Sequence, residues 1–384
     1  MYLAERTKRL GTETAFEVLA RAKALEAKGK SIIHLEIGEP DFDTPRHIIE
    51  AAHKALDEGW THYGPASGDI ELKKAIIGEI KSTRGLDIGS ENIVITPGAK
   101  PIMFFSILAC IEKGDEVIYP NPGFPIYESM INFIGGKAVP IMLREEMDFS
   151  FDVNELRDLI NDNTRMIIIN SPQNPTGGVL AEEDLAEIAD MVADRDIIIM
   201  TDEVYSRMVY DGKHSSILAY DGMKEKTILI EGFSKTYAMT GWRLGYGVMP
   251  QNVADMVSKF MVNSNSCTSS FTQRAGIEAL NGSQEDSENM IAEFKKRKDV
   301  IVDGLNAIPG ISCRTPKGAF YVFPNISATG LSSEEAEDKF LNEAGVAVLK
   351  GTSFGSNGEG YVRFSYANST ENILEALNRI EGVL

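Results

Sequence analysis

Lys235 stands where a lysine could act as a nucleophile or a base. It follows residues 227–230, a short apolar run typical of a buried strand, so it lies where a strand gives way to a loop. Small hydroxyl and glycine residues surround it, and the cation Arg243 follows eight positions later. Partial desolvation and a neighbouring cation both favour the neutral amine, which is the form that attacks aldehydes. An isolated Ser-Lys-Thr is usually a surface loop, but these neighbours favour chemistry.

Polar side chains follow two further apolar runs. Asp202 ends the run 196–202, which is typical of a central parallel strand, although a helix N-cap is an equal alternative for an isolated aspartate. Asn174 opens an Asn-Pro-Thr-Gly loop after the run 166–170, and its amide can donate a hydrogen bond without adding charge. Open α/β sheets bind ligands at the carboxyl ends of their strands. Both residues are therefore candidates for one site.

A third segment could hold an anion. Residues 92–96 indicate a strand, 97–101 (Pro-Gly-Ala-Lys-Pro) a turn, and 102–112 an apolar helix. The free backbone N–H groups at a helix N-terminus and its positive dipole end suit a phosphate. The backbone of Ala99 and Lys100 would form this cradle. Such turns are common, so the turn alone leaves the phosphate open.

The lysine segment resembles a known family. Residues 234–243, Ser-Lys-Thr-Tyr-Ala-Met-Thr-Gly-Trp-Arg, are similar to the lysine motif of class I/II aminotransferases, which are fold type I enzymes that use pyridoxal 5′-phosphate (PLP), and the resemblance extends over nearly the whole chain. It implies that Lys235 would hold PLP as a Schiff base and that Arg243 would pair with its phosphate. Many relatives have a hydroxyl residue where this chain has Gly232, so Ser234 would be the only side-chain hydroxyl from this segment near the phosphate.

The same resemblance implies further roles. Around the cofactor these are Ala99 and Lys100 at the phosphate, Phe124 stacked on the pyridine ring, Asn174 and Tyr205 at the 3′-oxygen, Asp202 at the ring nitrogen, and Tyr63 reaching the phosphate of a neighbouring subunit. Around the substrate, Gly38 would admit the carboxylate, Arg363 would bind it bidentately, and Phe124 and Asn174 would border it. A homodimer with shared active sites follows.

The amino donor stays open. If the side chain of Lys100 faces the pocket, it would attract a second carboxylate and favour aspartate or glutamate, whereas a lysine in a first helical turn can equally extend to solvent. The aromatic or apolar residues Phe16, Ile37 and Phe124 would instead suit neutral or aromatic donors.

The surrounding elements predict an α/β fold. Strands alternate with helices between residues 90 and 250, which indicates a mostly parallel sheet between helix layers, as in fold type I transferases. Predicted helices include 15–29, 46–58, 69–81 and 332–343, and predicted strands include 31–37 and 245–249. The expected organisation is an N-terminal segment (1–45) packed with a small α+β domain (286–384), and a large PLP-binding domain (46–285). A Gly-rich stretch, 351–360, is expected to be a mobile loop beside the site.

Composition excludes several other classes. The 57 acidic and 38 basic residues give a net charge of −19 without a basic run, which disfavours nucleic acid or an anionic membrane as a partner. No apolar stretch is long enough to span a membrane, and the charged first residues do not resemble a signal peptide, so a cytoplasmic location is expected. Three separated cysteines and five scattered histidines give no disulfide framework and no metal-ligand spacing.

The sequence thus predicts a PLP-dependent aminotransferase that moves the amino group of an L-amino acid, with aspartate as one candidate, to a 2-oxo acid by a ping-pong mechanism. A PLP-dependent C–S β-lyase would use the same residues and remains an alternative. A non-catalytic amino-acid sensor is a second alternative, disfavoured because no helix-turn-helix extension precedes residue 15 and because the chain is strongly acidic.

Overall fold

A computed structural model describes residues 2–384. The strands of this part of the chain are β1 Ile33–His34, β2 Ile93–Thr96, β3 Glu116–Asn121, β4 Lys137–Met142, β5 Thr164–Asn170, β6 Ile198–Asp202, β7 Thr227–Gly232, β8 Gly245–Val248, β9 Tyr321–Val322, β10 Val346–Ala347, β11 Leu349–Lys350 and β12 Val362–Ser365. Its α-helices are α1 Ala15–Glu26, α2 Arg46–Asp57, α3 Ile70–Arg84, α4 Lys100–Cys110, α5 Ile126–Ile134, α6 Val153–Leu159, α7 Glu182–Val192, α8 Gln251–Ser264, α9 Ser270–Asn281, α10 Glu285–Ala307, α11 Ser333–Lys339 and α12 Thr370–Glu381.

A seven-stranded sheet forms the centre of the molecule, in the order β2-β8-β7-β6-β5-β3-β4. Strands β3 to β7 pair in parallel, whereas β8 is antiparallel to both of its neighbours. The prediction of a mostly parallel sheet is confirmed. The parallel strands end at one edge, where the chain turns into loops that can carry a site.

The sheet is buried on both faces by helices. Ile168, Met200 and Ile228 lie in one core cluster with α4 and α8, and Ile167 and Ile199 lie in another with α7. Because successive side chains of a strand point to opposite faces, a continuous apolar run serves both layers. This accounts for the uninterrupted apolar strands read from the sequence.

The C-terminal part of the chain forms a smaller sheet and the helices α10, α11 and α12. Strands β11, β12 and β9 form an antiparallel sheet, and α10 contacts α12. Near the N-terminus, β1 pairs in parallel with β10 through Ile33 and Val346. The N-terminal segment therefore pairs with the C-terminal part of the chain, while the domain boundaries at 45 and 285 stay a prediction.

Some element bounds differ from the prediction. The first helix ends at Glu26 instead of residue 29, and the strand expected over 31–37 is reduced to two residues. This strand is short because its backbone pairing with β10 ends at Leu35. The next residue, Glu36, instead accepts a hydrogen bond from Arg363 through its carbonyl. The expected loop at 351–360 contains two short 3₁₀ turns, with Phe354 buried and its carbonyl accepting from the Gly123 N–H at 2.7 Å.

Within residues 2–384, the helices are too short or too polar to cross a membrane.

Strand β8 touches the turn before α4 through a glycine. A Cβ at Gly245 would lie 2.8 Å from the Cα of Ala99 and would also overlap the backbone of Gly98. Backbone atoms cannot rotate away as a side chain does, so the turn would have to shift.

We predict that Gly245→Ala lowers the free energy of unfolding by about 1–3 kcal/mol, because it overpacks this contact. Urea denaturation followed by circular dichroism measures it. Gly241→Ala is the control, since a Cβ there meets no atom within 4 Å and should cost less than about 0.5 kcal/mol. Equal effects of the two variants would contradict the prediction.

Candidate active site

One cavity of about 560 Å³ opens at the carboxyl edge of the central sheet. Its walls come from the loops after β5, β6 and β7, the start of α4, the N-terminal segment and the strands near the C-terminus. Eleven of the twelve predicted site residues line it: Gly38, Ala99, Lys100, Phe124, Asn174, Asp202, Tyr205, Ser234, Lys235, Arg243 and Arg363.

Lys235 follows β7, as predicted, and its amine points into the cavity. The ammonium group donates to the carbonyl of Gly38 and lies 5.7 Å from the ring centre of Phe320. Burial lowers the pKa of Lys235 to about 8. The carboxylate of Glu39 raises this pKa, whereas the guanidinium of Arg363 lowers it further. A substantial fraction of the amine is therefore neutral at mildly alkaline pH.

Asp202 ends β6 as a buried carboxylate. It accepts a hydrogen bond from the hydroxyl of Tyr127 at 2.5 Å and from the N–H of Val204 at 3.4 Å. Burial raises the pKa of Asp202 to about 6, and the bond from Tyr127 limits that rise. No helix begins at this point of the described chain, so the N-cap alternative is wrong. The Tyr127 ring packs on that of Phe124, with the ring centres 5.6 Å apart. The contact of Tyr127 with Asp202 is one that the sequence did not reveal.

Arg363 lies in β12, almost fully buried, and is held on two sides. One terminal nitrogen donates to the side-chain oxygen of Asn174 at 3.0 Å and the other donates to the carbonyl of Glu36. Its buried Nε has no hydrogen-bond partner among residues 2–384. A buried donor without a partner costs free energy, which a bound carboxylate would offset. Since Arg363 occupies the oxygen of Asn174, the amide N–H groups of Asn174 remain available to donate.

Tyr321 is a cavity residue that the sequence did not single out. Its hydroxyl lies 2.7 Å from the hydroxyl of Tyr205, and the guanidinium of Arg363 lies 4.5 Å from its ring centre. A Cβ on Gly38 would overlap the Tyr321 hydroxyl, so this glycine leaves the space that the phenol occupies. The run Phe-Tyr-Val-Phe at 320–323 does not by itself show which aromatic residue faces the cavity.

Backbone N–H groups and an arginine meet where α4 begins. Helix α4 starts at Lys100, directly after Ala99, and the guanidinium of Arg243 lies against the turn so closely that a Cβ on Gly98 would be 2.9 Å from its central carbon. Ser234 lines the same cavity. A helix N-terminus beside a cation is suited to a phosphate. With Lys235 and the acidic Asp202 in the same cavity, these residues fit PLP.

The side chain of Lys100 lies at the rim of the cavity. Its ammonium group forms an ion pair with Glu13 and lies 5.4 Å from the ring centre of Phe124. The side chain is half exposed, so it contacts both the cavity and solvent, which the sequence had given as two alternatives. Glu13 was not predicted, because nothing in its local sequence links it to Lys100.

Tyr63 is the predicted residue that this chain does not bring to the cavity. It is 87% exposed and borders a shallow surface depression with Trp60 and Phe271. Its expected contact with a neighbouring subunit stays a prediction.

A buried ionic cluster supports the strands that carry Asp202 and Lys235. Arg84 from α3 pairs with Glu203 at 2.8 Å and with Glu231 at 2.9 Å. Glu203 directly follows β6, and Glu231 is in β7. Burial raises the pKa of Glu231 to about 7, against the opposing charge of Arg84. The cluster joins the ends of β6 and β7 behind the cavity.

Comparison with known proteins gives full-length matches. A family model described as aminotransferase class I and II matches residues 30–380. Aspartate aminotransferase of Pyrococcus horikoshii is 46% identical, with 100% of this chain and 97% of the relative covered. Aromatic-amino-acid aminotransferase 2 of Thermococcus litoralis is 44% identical, with 92% of each covered. The structure of Thermus thermophilus aspartate aminotransferase with maleate superposes with a TM-score of 0.95 at 35% identity, with 100% of both chains covered.

We predict that Lys235 of the cofactor-free protein titrates with a midpoint near pH 8, because burial favours its neutral form. Site-resolved acetylation followed by mass spectrometry from pH 6 to pH 11 measures it, with the exposed Lys28 as the reference curve. Glu39→Gln should move the Lys235 midpoint to lower pH, because the carboxylate of Glu39 raises this pKa. A midpoint near 10.5, or an upward shift in the variant, would contradict the assignment.

Proposed function

This chain belongs to the class I and II aminotransferases and is an aminotransferase, and on that premise we propose that it moves the amino group of aspartate or glutamate to a 2-oxo acid. One observation carries the choice of donor: Arg363 and Lys100 line the same cavity as Lys235. They offer a cation to each carboxylate of a dicarboxylic substrate. Full-length relatives named as aminotransferases favour this reaction over the lyase and the sensor.

PLP is the cofactor that these residues would hold. When bound, it supplies an electron sink for the negative charge that develops at the substrate α-carbon. The residues that would hold it are Arg243, Ser234 and the backbone of Ala99 and Lys100 at the phosphate, Phe124 against the ring, Asn174 and Tyr205 at the 3′-oxygen, and Asp202 at the ring nitrogen. Asp202 would serve as the anionic partner that keeps this nitrogen protonated, and Tyr127 orients the Asp202 carboxylate by donating a hydrogen bond to it at 2.5 Å.

Lys235 is the residue that moves the proton. With a pKa of about 8, its amine can accept a proton from the substrate α-carbon as a base and would then donate it to C4′ of PLP as an acid, since a catalytic pKa near the working pH serves both steps. The carbonyl of Gly38 accepts from this amine and so helps to orient it. The aromatic rings of Tyr205 and Phe320 exclude water from the same side.

Arg363 binds the α-carboxylate of the substrate. Two of its nitrogens are already fixed by Asn174 and Glu36, so little side-chain freedom is lost when the substrate arrives. Its unpartnered Nε gains an acceptor at that moment. The substrate is thereby held with its α-carbon near Lys235, which lines the same cavity.

Lys100 binds the distal carboxylate from the rim of the cavity. Aspartate aminotransferases among the relatives, one solved with the dicarboxylate maleate, support this donor class. Aromatic donors are the second candidate, because Phe16, Phe124 and Phe354 line the cavity and a relative is named for aromatic amino acids. Absorbance of the PLP-loaded protein, mixed with single amino acids and no 2-oxo acid, identifies the donor that converts the bound aldehyde form of the cofactor to the amine form.

Lys235→Ala should lower the rate of this half-reaction by at least about 10³-fold, because no other described amine lies in position to move the α-proton. Stopped-flow absorbance with aspartate measures the rate. Lys28→Ala, which removes an exposed lysine outside the cavity, is the matched control. Appreciable transamination by Lys235→Ala would refute the assignment of the base.

Lys100→Gln should lower the ratio of kcat/KM for aspartate to that for alanine by about tenfold, the loss expected for one hydrogen bond to a charged group. Alanine has no second carboxylate and serves as the internal reference. Lys113→Gln, an exposed lysine just beyond α4, controls for net charge. An unchanged ratio in Lys100→Gln would remove the dicarboxylate assignment and leave the aminotransferase intact.

A further inference from the structure

Glu13 places a carboxylate of the protein where the distal carboxylate of a substrate would bind. It pairs with the ammonium group of Lys100, and both residues line the cavity. The Glu13 side chain is 18% exposed and that of Lys100 is 50% exposed, so Glu13 is the more enclosed partner. Its charge also reaches the reacting amine: burial lowers the pKa of Lys235, and Glu13 is among the carboxylates that oppose this.

The backbone around Glu13 is held in place from two sides. On the N-terminal side, Gly11 donates to the hydroxyl of Ser129 in α5 at 2.9 Å. On the C-terminal side, the hydroxyl of Thr14 donates to Ser353 at 2.6 Å, in the 3₁₀ turn that also carries Phe354. A side chain on a fixed backbone loses little entropy when it forms an ion pair. These two hydrogen bonds therefore position the Glu13 backbone so that its side chain can pair with Lys100.

We propose that Glu13 is a specificity-determining residue that competes with the distal carboxylate of the substrate for Lys100. The proposal rests on the dicarboxylate function assigned to Lys100 above. One ammonium group cannot favour two adjacent carboxylates equally, because like charges repel at short distance. A dicarboxylic donor must displace Glu13 from Lys100, whereas a donor with an uncharged side chain leaves the pair closed and lies along Phe124. Glu13 thus reduces the preference of the enzyme for dicarboxylic donors over donors with uncharged side chains, and the enzyme accepts a broader range of donors.

The test compares two inhibitors on the PLP-loaded enzyme: maleate, with two carboxylates, and propionate, with one. Because Glu13→Gln removes the competing charge, it should lower the Kd of maleate about fivefold, which is the upper range for a partly exposed ion pair. The Kd of propionate should change by less than about twofold. Isothermal titration calorimetry measures both. The ratio of kcat/KM for aspartate to that for alanine should rise in parallel.

Glu17→Gln is the matched control. It removes the same charge from the first turn of α1, at an exposed position outside the cavity, and should leave the maleate-to-propionate ratio at the wild-type value. Unchanged or weaker maleate binding in Glu13→Gln overturns the proposal. Equal tightening of both inhibitors also overturns it, because that would indicate a general field effect and not competition for Lys100.

Lys100→Gln separates this proposal from the one on which it rests. If Lys100→Gln leaves the maleate affinity unchanged, the dicarboxylate function of Lys100 is wrong and the proposal for Glu13 is wrong with it. If Lys100→Gln weakens maleate and Glu13→Gln fails to tighten it, the competition alone is overturned and Lys100 keeps its assignment.

Discussion

The parallel pairing of β5, β6 and β7 is the constraint on which the site depends. Asn170 lies opposite Asp202, and Asp202 lies opposite Ile230, so three strands finish together at one edge. The loops that leave this edge carry Asn174 and Lys235. A slip of one residue between strands would turn the Asp202 side chain to the other face of the sheet. The apolar runs that bury both faces, with the Arg84 cluster behind them, therefore fix the relative positions of Asn174, Asp202 and Lys235.

The central residues of the site were predictable because their signals are local. A buried apolar run followed by Asp202, or by the loop that carries Lys235, marks the end of a strand wherever the partners lie. Tyr127, Tyr321 and Glu13 were missed for the opposite reason. Each acts through a residue far away in the sequence, and no periodicity reports such a contact.

The fold was predicted well at the level of layers and less well at the level of element ends. Both the parallel sheet and its helices follow from alternating apolar runs. The strand expected over 31–37 was too long, because the position at which a strand leaves its partner depends on tertiary contacts such as that of Arg363 with Glu36. The family was evident from one lysine motif. The choice of donor was not, because Lys100 and Glu13, the residues to which we assign it, come from different segments that meet only in the folded chain.

The pairing of β1 with β10 bears on the order in which the molecule can assemble. Ile33 can pair only after Val346 has been synthesised, and Arg363 follows later still. Asp202, Lys235 and Arg243, by contrast, lie in one earlier stretch of chain together with β5 to β8. Contacts between distant segments form slowly, because a long loop must close before they contribute stability. During synthesis, the groups suited to the cofactor can thus be assembled while Arg363, the residue suited to the substrate α-carboxylate, is still absent. Cofactor capture before completion of the substrate pocket is a sequence of events that this topology permits.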